Sequence, residues 1–195
     1  MIRTSLIRLG GLMAVVSGVL YLVAESLNLP DDVGVRFYYG FLPGGESLYF
    51  NVLLVGAMAA TLAIATLYAL GRDRDGLVVV LSVVAFVGLA LMLWGELGNL
   101  VAVLLGWSVE SVGVFALGLA TIGTGVRGLP WWCGVALMVW GPALVFWLLL
   151  PGSGFLAPSL SGVLGGTLAG ASWIVVSFGV FRAATHQTEL SSRVQ

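Results

Sequence analysis

Apolar residues along this chain fall in long runs, and they do not alternate with polar ones. Six runs approach membrane length: about Leu6–Asn28, Leu48–Leu70, Leu77–Leu97, Val109–Val126, Trp131–Leu150 and Leu160–Phe181. A helix needs roughly 20 mostly apolar residues to cross a bilayer. Without period-two patterning, a membrane β-barrel is a poor fit. The pattern predicts an all-α integral membrane protein, a bundle of six transmembrane helices. The first run follows Arg3 and Arg8 but is longer than the apolar stretch of a signal peptide. Val23-Ala24-Glu25 also makes a poor cleavage site, so this run is expected to stay as a helix.

The positive charges agree with six spans. Arg3, Arg8, Arg72, Arg74, Arg127, Arg182 and Arg193 all fall on one side of such a bundle, and only Arg36 falls on the other. Cytoplasmic segments carry the excess of arginine and lysine, so both termini are expected in the cytoplasm of a multi-pass cell-membrane protein. Residues 1–182 then form a single transmembrane domain, and residues 183–195 form a polar cytoplasmic tail.

One boundary does not fit a simple count. From Leu77 to Trp107 the chain runs 31 residues with a single charge, Glu96. That is too long for one upright span and too short for two. Either the third helix is long and tilted, or Leu97–Trp107 is a short interfacial or re-entrant piece.

Composition then narrows the chemistry. The chain is 59% hydrophobic and 9% charged, with a mean hydropathy of +1.08. A soluble domain is nearer half apolar and a quarter charged. There is no lysine, so Schiff-base and phosphate-loop chemistry through lysine are excluded. The lone histidine, His186, lies after the last apolar run, which argues against haem, histidine-held zinc and serine–histidine catalysis. Cys133 is single and reads as a small core residue. No basic patch suggests nucleic acid, and no cofactor or metal is called for.

Against this background two segments echo each other. Leu20–Leu29 and Leu91–Leu100 both end an apolar run on Glu-x-x-Asn-Leu, through Glu25 and Asn28 in one and Glu96 and Asn99 in the other. Glu46-Ser47-Leu48 and Glu110-Ser111-Val112 then open the runs that follow. The helical hairpins are therefore candidates for an internal repeat. The seven-residue spacing of Gly11 and Gly18, repeated in Gly134 and Gly141, extends it weakly to a third hairpin.

Acids beside membrane-length segments are functional candidates by default. Glu46 and Glu110 have an ordinary explanation. Each is placed in the first turn of a helix, after Gly44-Gly45 and after Ser108, where the helix dipole favours a carboxylate. Glu25 and Glu96 sit at helix C-terminal ends, where the dipole disfavours them. Asn28 and Asn99 lie three residues on, sharing a face with each glutamate, although asparagine also caps helix ends. A partly buried carboxylate requires a cationic partner, a proton or a bound ligand; otherwise it must reach headgroup water. Trp94 and Trp147 are expected at compatible depths, where indole faces suit a cationic guest. Trp107, Trp131 and Trp132 read as interfacial belt residues, as do the aromatics of Phe37-Tyr38-Tyr39-Gly40-Phe41.

Two further features concern packing. Gly162, Gly166 and Gly170 form a glycine ridge, and Gly10, Ala14 and Gly18 repeat its spacing, so both are close-contact faces within the chain or between chains. Pro142 removes a backbone donor in the fifth run and predicts a kink.

Three functions fit these residues. The first is a small transport or ligand-binding module with an outward-facing acidic and aromatic cavity. It is lined by Glu25, Asn28, Glu46, Trp94, Glu96, Asn99, Glu110 and Trp147, and it takes a small cation or an amphipathic cationic molecule. The second is an intramembrane isomerase or cyclase using Glu25 or Glu96 as general acid on a lipid-like substrate. The third is an accessory subunit that meets a membrane partner, or a second copy of itself, through Gly162, Gly166 and Gly170. The surplus of acids favours the first.

Overall fold

A computed structural model of the chain describes residues 2–27, 45–70, 75–95, 100–123, 129–149 and 158–192. Side chains are described within 5–23, 51–69, 75–95, 101–102, 104–123, 129–140 and 167–186. The described residues form six helices: α1 (Ile2–Leu27), α2 (Gly45–Leu70), α3 (Gly76–Gly95), α4 (Leu100–Gly123), α5 (Trp131–Leu149) and α6 (Pro158–Ser192).

Five of them contain stretches long and apolar enough to cross a membrane: Ser5–Val23, Asn51–Ala69, Gly76–Gly95, Leu104–Gly123 and Thr167–His186. In α5 the described apolar stretch is the shorter Trp131–Trp140. The outer surface is itself apolar, with Val80, Val101, Val112 and Phe178 all more than half exposed. A surface of this kind is stable against acyl chains and a liability in water. The protein is a helical membrane protein.

The helix starts follow local chemistry. The Asp75 carboxylate accepts the Leu77 and Val78 backbone N–H groups at 2.9 and 3.3 Å, which caps α3. The Pro130 carbonyl accepts the Cys133 N–H at 3.0 Å just before α5. Inside the helices, hydroxyls turn back on their own backbone. Ser82 donates to the Val78 carbonyl at 2.7 Å, Thr121 to Leu117 at 2.7 Å and Ser177 to Trp173 at 2.6 Å. Buried hydroxyls are thereby satisfied without water.

Each helix packs on the one before and the one after it, and α6 returns to pack on α1 and touch α2. Glycine contacts fix the directions: Gly10 meets Ala63 while Gly56 meets Ser17, so α1 and α2 are antiparallel, and the Gly88–Glu110 and Gly106–Met92 contacts show the same for α3 and α4. Trp140, Trp173, Tyr68, Leu89, Met92 and Leu117 fill the interior. At the end of the bundle that holds the start of α1 and the end of α6, the Tyr68 hydroxyl accepts the Leu129 N–H at 3.3 Å. This joins α2 to the segment that leads into α5.

One expectation changes. The ambiguous stretch resolves by an earlier start for α4. Helix α3 stops at Gly95, and Leu100–Trp107 forms the first two turns of α4. It is neither an extension of α3 nor a re-entrant piece. The helix assigned to Val109–Val126 therefore begins nine residues before Val109, which moves Glu110 out of the first turn. Helix α6 also runs through the segment read as a tail as far as Ser192, with Ala183 and Ala184 still buried.

Among the described residues, Gly18 and Gly170 pack against each other within the chain. A Cβ added to Gly18 would lie 3.0 Å from the Gly170 carbonyl oxygen, and one added to Gly170 would lie 3.2 Å from that of Gly18. Only a pair lacking side chains lets α1 and α6 meet this closely. Gly162 and Gly166 lie on α6 outside the described side chains. Helix α5 stays helical through Pro142.

Candidate functional site

The charged side chains among those described are Arg8, Asp75, Glu110 and Arg182, with His186 beside them. Four of these five belong to the end that holds the start of α1. Glu110 does not. It lies ten residues into α4, about 15 Å along the helix axis from Leu100 and roughly 20 Å from Gly123. That puts a carboxyl at mid-depth in the bundle, and it is 0% exposed.

Three helices enclose it. The Trp140 indole N–H on α5 donates to Glu110 Oε1. The Ser111 hydroxyl donates to Oε2 at 3.4 Å, a long contact. On the other side α3 presents Gly88. A Cβ there would lie within 2.6 Å of the Glu110 backbone nitrogen, Cα and Cβ, so α3 and α4 touch backbone to backbone at the level of the carboxyl. Any side chain at position 88 would push the helix that carries Glu110 away.

Helix α6 packs behind Trp140. Trp173 meets Trp140 edge to face, with ring centroids 5.4 Å apart and planes at 69°. Both indoles are 0% exposed. Such pairs contribute about 0.5–1.5 kcal/mol beyond their area. The N–H of Trp140 is engaged by Glu110, whereas the N–H of Trp173 is buried with no hydrogen-bond partner among the described residues. An unsatisfied buried donor is uncommon in a folded protein and marks a place where an acceptor fits.

The arrangement can hold a proton on the carboxyl, which removes the need for a counter-charge. No group of three or more His, Cys, Asp or Glu converges among the described residues.

The other predicted site residues are only partly described. Trp94 is 56% exposed in the last turn of α3, on the outside of the bundle and apart from the enclosed cluster. Glu25, Glu46 and Trp147 lie on α1, α2 and α5, with side chains outside the described residues, and Asn28, Glu96 and Asn99 also lie outside them. Of the tryptophans expected at the interface, Trp131 is exposed, whereas Trp107 and Trp132 pack partly against the core.

Sequence reasoning missed Trp140 and Trp173. Neither has a local signature: Trp140 meets the site only when α5 folds against α4, and Trp173 meets Trp140 only when α6 folds against α5. No protein-family model, curated protein or solved structure matches this chain.

Proposed function

We propose that the protein is a small six-span membrane transport module, with both termini in the cytoplasm, whose cationic cargo neutralises Glu110 at mid-depth. The observation that carries this reading is the carboxyl of Glu110, fully enclosed by α3, α4 and α5 and accepting its N–H bond from Trp140. A carboxylate so placed requires a counter-charge, a proton or a ligand. The described cations, Arg8 and Arg182, are exposed at the end that holds the start of α1, far from it along the helices. A proton or a compact organic cation would supply the charge, and the Trp140 and Trp173 faces suit the latter. Glu25 and Glu96, with Asn28 and Asn99, would form an outward-facing vestibule through which the cargo passes toward Glu110. The accessory-subunit reading is weaker, because Gly170 already packs on Gly18 of the same chain.

The test is thermal unfolding of the purified protein with a panel of inorganic cations and organic amines, beside Glu110→Gln. A ligand at a hundred times its dissociation constant stabilises by about 2.7 kcal/mol. At least one cation is expected to raise the midpoint of the native protein and to leave Glu110→Gln unmoved. Equal shifts in both proteins, or none in either, reject the proposal.

A further inference from the structure

The enclosure of Glu110 leaves room for only the smallest cation. The residue is 0% exposed, and a space as large as a water molecule beside the carboxyl would expose part of it. On one side α3 and α4 touch through their backbones at Gly88. They touch again at Gly113, where an added Cβ would lie 2.9 Å from the Ala85 nitrogen. Backbone cannot swing aside as a side chain does. On the other side the Trp140 indole donates its N–H to Oε1. A sodium ion or an alkylammonium group fits against the carboxyl only after these helices part. A proton fits as the helices stand.

No fixed charge on the neighbouring helices takes the place of that proton. α4 packs on α3 and α5. Along the full length of these three helices, Glu110 and Cys133 are the only ionisable side chains. Cys133 faces α6, with its sulfur 4.0 Å from the Val176 carbonyl oxygen. Asp75, which caps α3, is about 20 Å from Gly88 along the helix. A buried carboxylate with no cation beside it takes up a proton.

The hydrogen bonds also have a place for it. Oε1 accepts from Trp140, which leaves Oε2 to carry the proton. Ser82, Ser108 and Ser177 each donate to the carbonyl four residues back. The Ser111 hydroxyl is turned instead to Oε2, at 3.4 Å. Its oxygen has lone pairs that can accept from a carboxylic acid.

One carboxyl cannot hold a proton and a transported cation at once. We propose that the two alternate on Glu110, so that the protein exchanges protons for cations. In the enclosed state Glu110 carries a proton on Oε2 and donates it to Ser111 Oγ. When the helices part, a cation meets the carboxyl, the O–H bond breaks, and the proton leaves to water as the carboxylate pairs with the cation. The reverse step restores the acid. This exchange rests on Glu110 being the transport site and adds the ion that leaves it.

Mixing the purified protein with sodium or tetramethylammonium chloride, in weakly buffered detergent solution with a pH-indicator dye, tests the exchange. Neither cation brings a proton of its own. The native protein is expected to release about one proton per cation bound, and Glu110→Gln none. Because the proton competes, raising the pH is expected to tighten binding by up to about tenfold per unit while the carboxyl is still protonated. Infrared spectra give a second readout. The carbonyl band of a protonated carboxyl is expected in the cation-free native protein and should vanish when the cation is added. Ser111→Ala is expected to shift that band, and Ser111→Thr to leave it in place. If Glu110→Gln does not fold, the native bands decide the matter. Stabilisation by either cation without proton release, or the absence of an acid band before cation is added, overturns the exchange and leaves cation transport standing. A band unmoved by Ser111→Ala overturns the placement of the proton on Oε2. No release and no thermal shift with either cation also overturns the exchange, and no shift across the whole cation panel removes the transport reading with it.

Discussion

The indole N–H of Trp140 donates to the carboxyl of Glu110 across 30 positions of sequence, and neither side chain is exposed. Trp173 sits against the same Trp140 ring but has no partner for its own N–H among the described residues. Phenylalanine at the two positions should therefore have unequal effects. Trp140→Phe leaves a buried carboxyl without its indole donor and is expected to destabilise by about 1–3 kcal/mol beyond the lost ring volume. Trp173→Phe removes a donor that makes no bond, so its loss should be confined to packing. Thermal unfolding of the two variants in the same detergent compares them, and a larger loss for Trp173→Phe contradicts the assignment.

Glutamine and leucine at position 110 separate the shape of the carboxyl from its chemistry. The amide of Glu110→Gln still offers an oxygen to Trp140, so its unfolding midpoint is expected near that of the native protein. Glu110→Leu leaves the Trp140 N–H buried without an acceptor, at a penalty of about 1–3 kcal/mol. Cation-dependent stabilisation should vanish in both variants. Retention in either would count against Glu110 as the proposed cation site.

Gly88 and Gly76 lie on the same helix in opposite circumstances. A Cβ at Gly88 meets the backbone of Glu110, which no side-chain rotation relieves, while one at Gly76 meets nothing within 4 Å. Gly88→Ala is expected to destabilise by about 3 kcal/mol, at the upper end of overpacking effects. Gly76→Ala should be neutral or stabilising by up to ~1 kcal/mol, as expected where alanine replaces glycine without strain. Paired unfolding curves measure the difference.

Asp75 caps α3 through the Leu77 and Val78 N–H groups. Asp75→Ala should lower stability by about 1 kcal/mol, and Asp75→Asn should retain most of it, because the amide oxygen accepts the same bonds. Hydrogen exchange at Leu77 and Val78 provides a local readout, with faster exchange expected in Asp75→Ala alone.

The helices were visible in the sequence wherever an apolar run had charged or turn-forming residues at both ends. α2 and α3 lie within a few residues of their predicted bounds for that reason. The start of α4 was hidden, because Leu100–Trp107 is as apolar as the run before it and joins it without a charge after Glu96. Ser108 added a false signal. It resembles a helix cap, but in the structure its hydroxyl donates to the Leu104 carbonyl at 3.0 Å, as a serine within a helix does. Length held the corrective clue. Residues 77–126 are long enough for two full spans joined by a short turn, which requires α4 to begin well before Glu110. The acid itself could be picked out from sequence. Its enclosure could not, because Gly88 and Trp140 come from two other helices.

The seam between α1 and α6 bears on how the protein is made. Gly18 and Gly170 lie face to face, yet 152 positions of chain separate them. During synthesis α1 and α2 can join as soon as both have entered the bilayer, while the Gly18 face must wait in lipid until α6 emerges. Native pairing of such distant segments is slow to form and open to competition. Closure of the ring is thus a late event of biogenesis. Nascent chains halted before α6 are expected to expose a smooth glycine strip that other membrane helices can occupy.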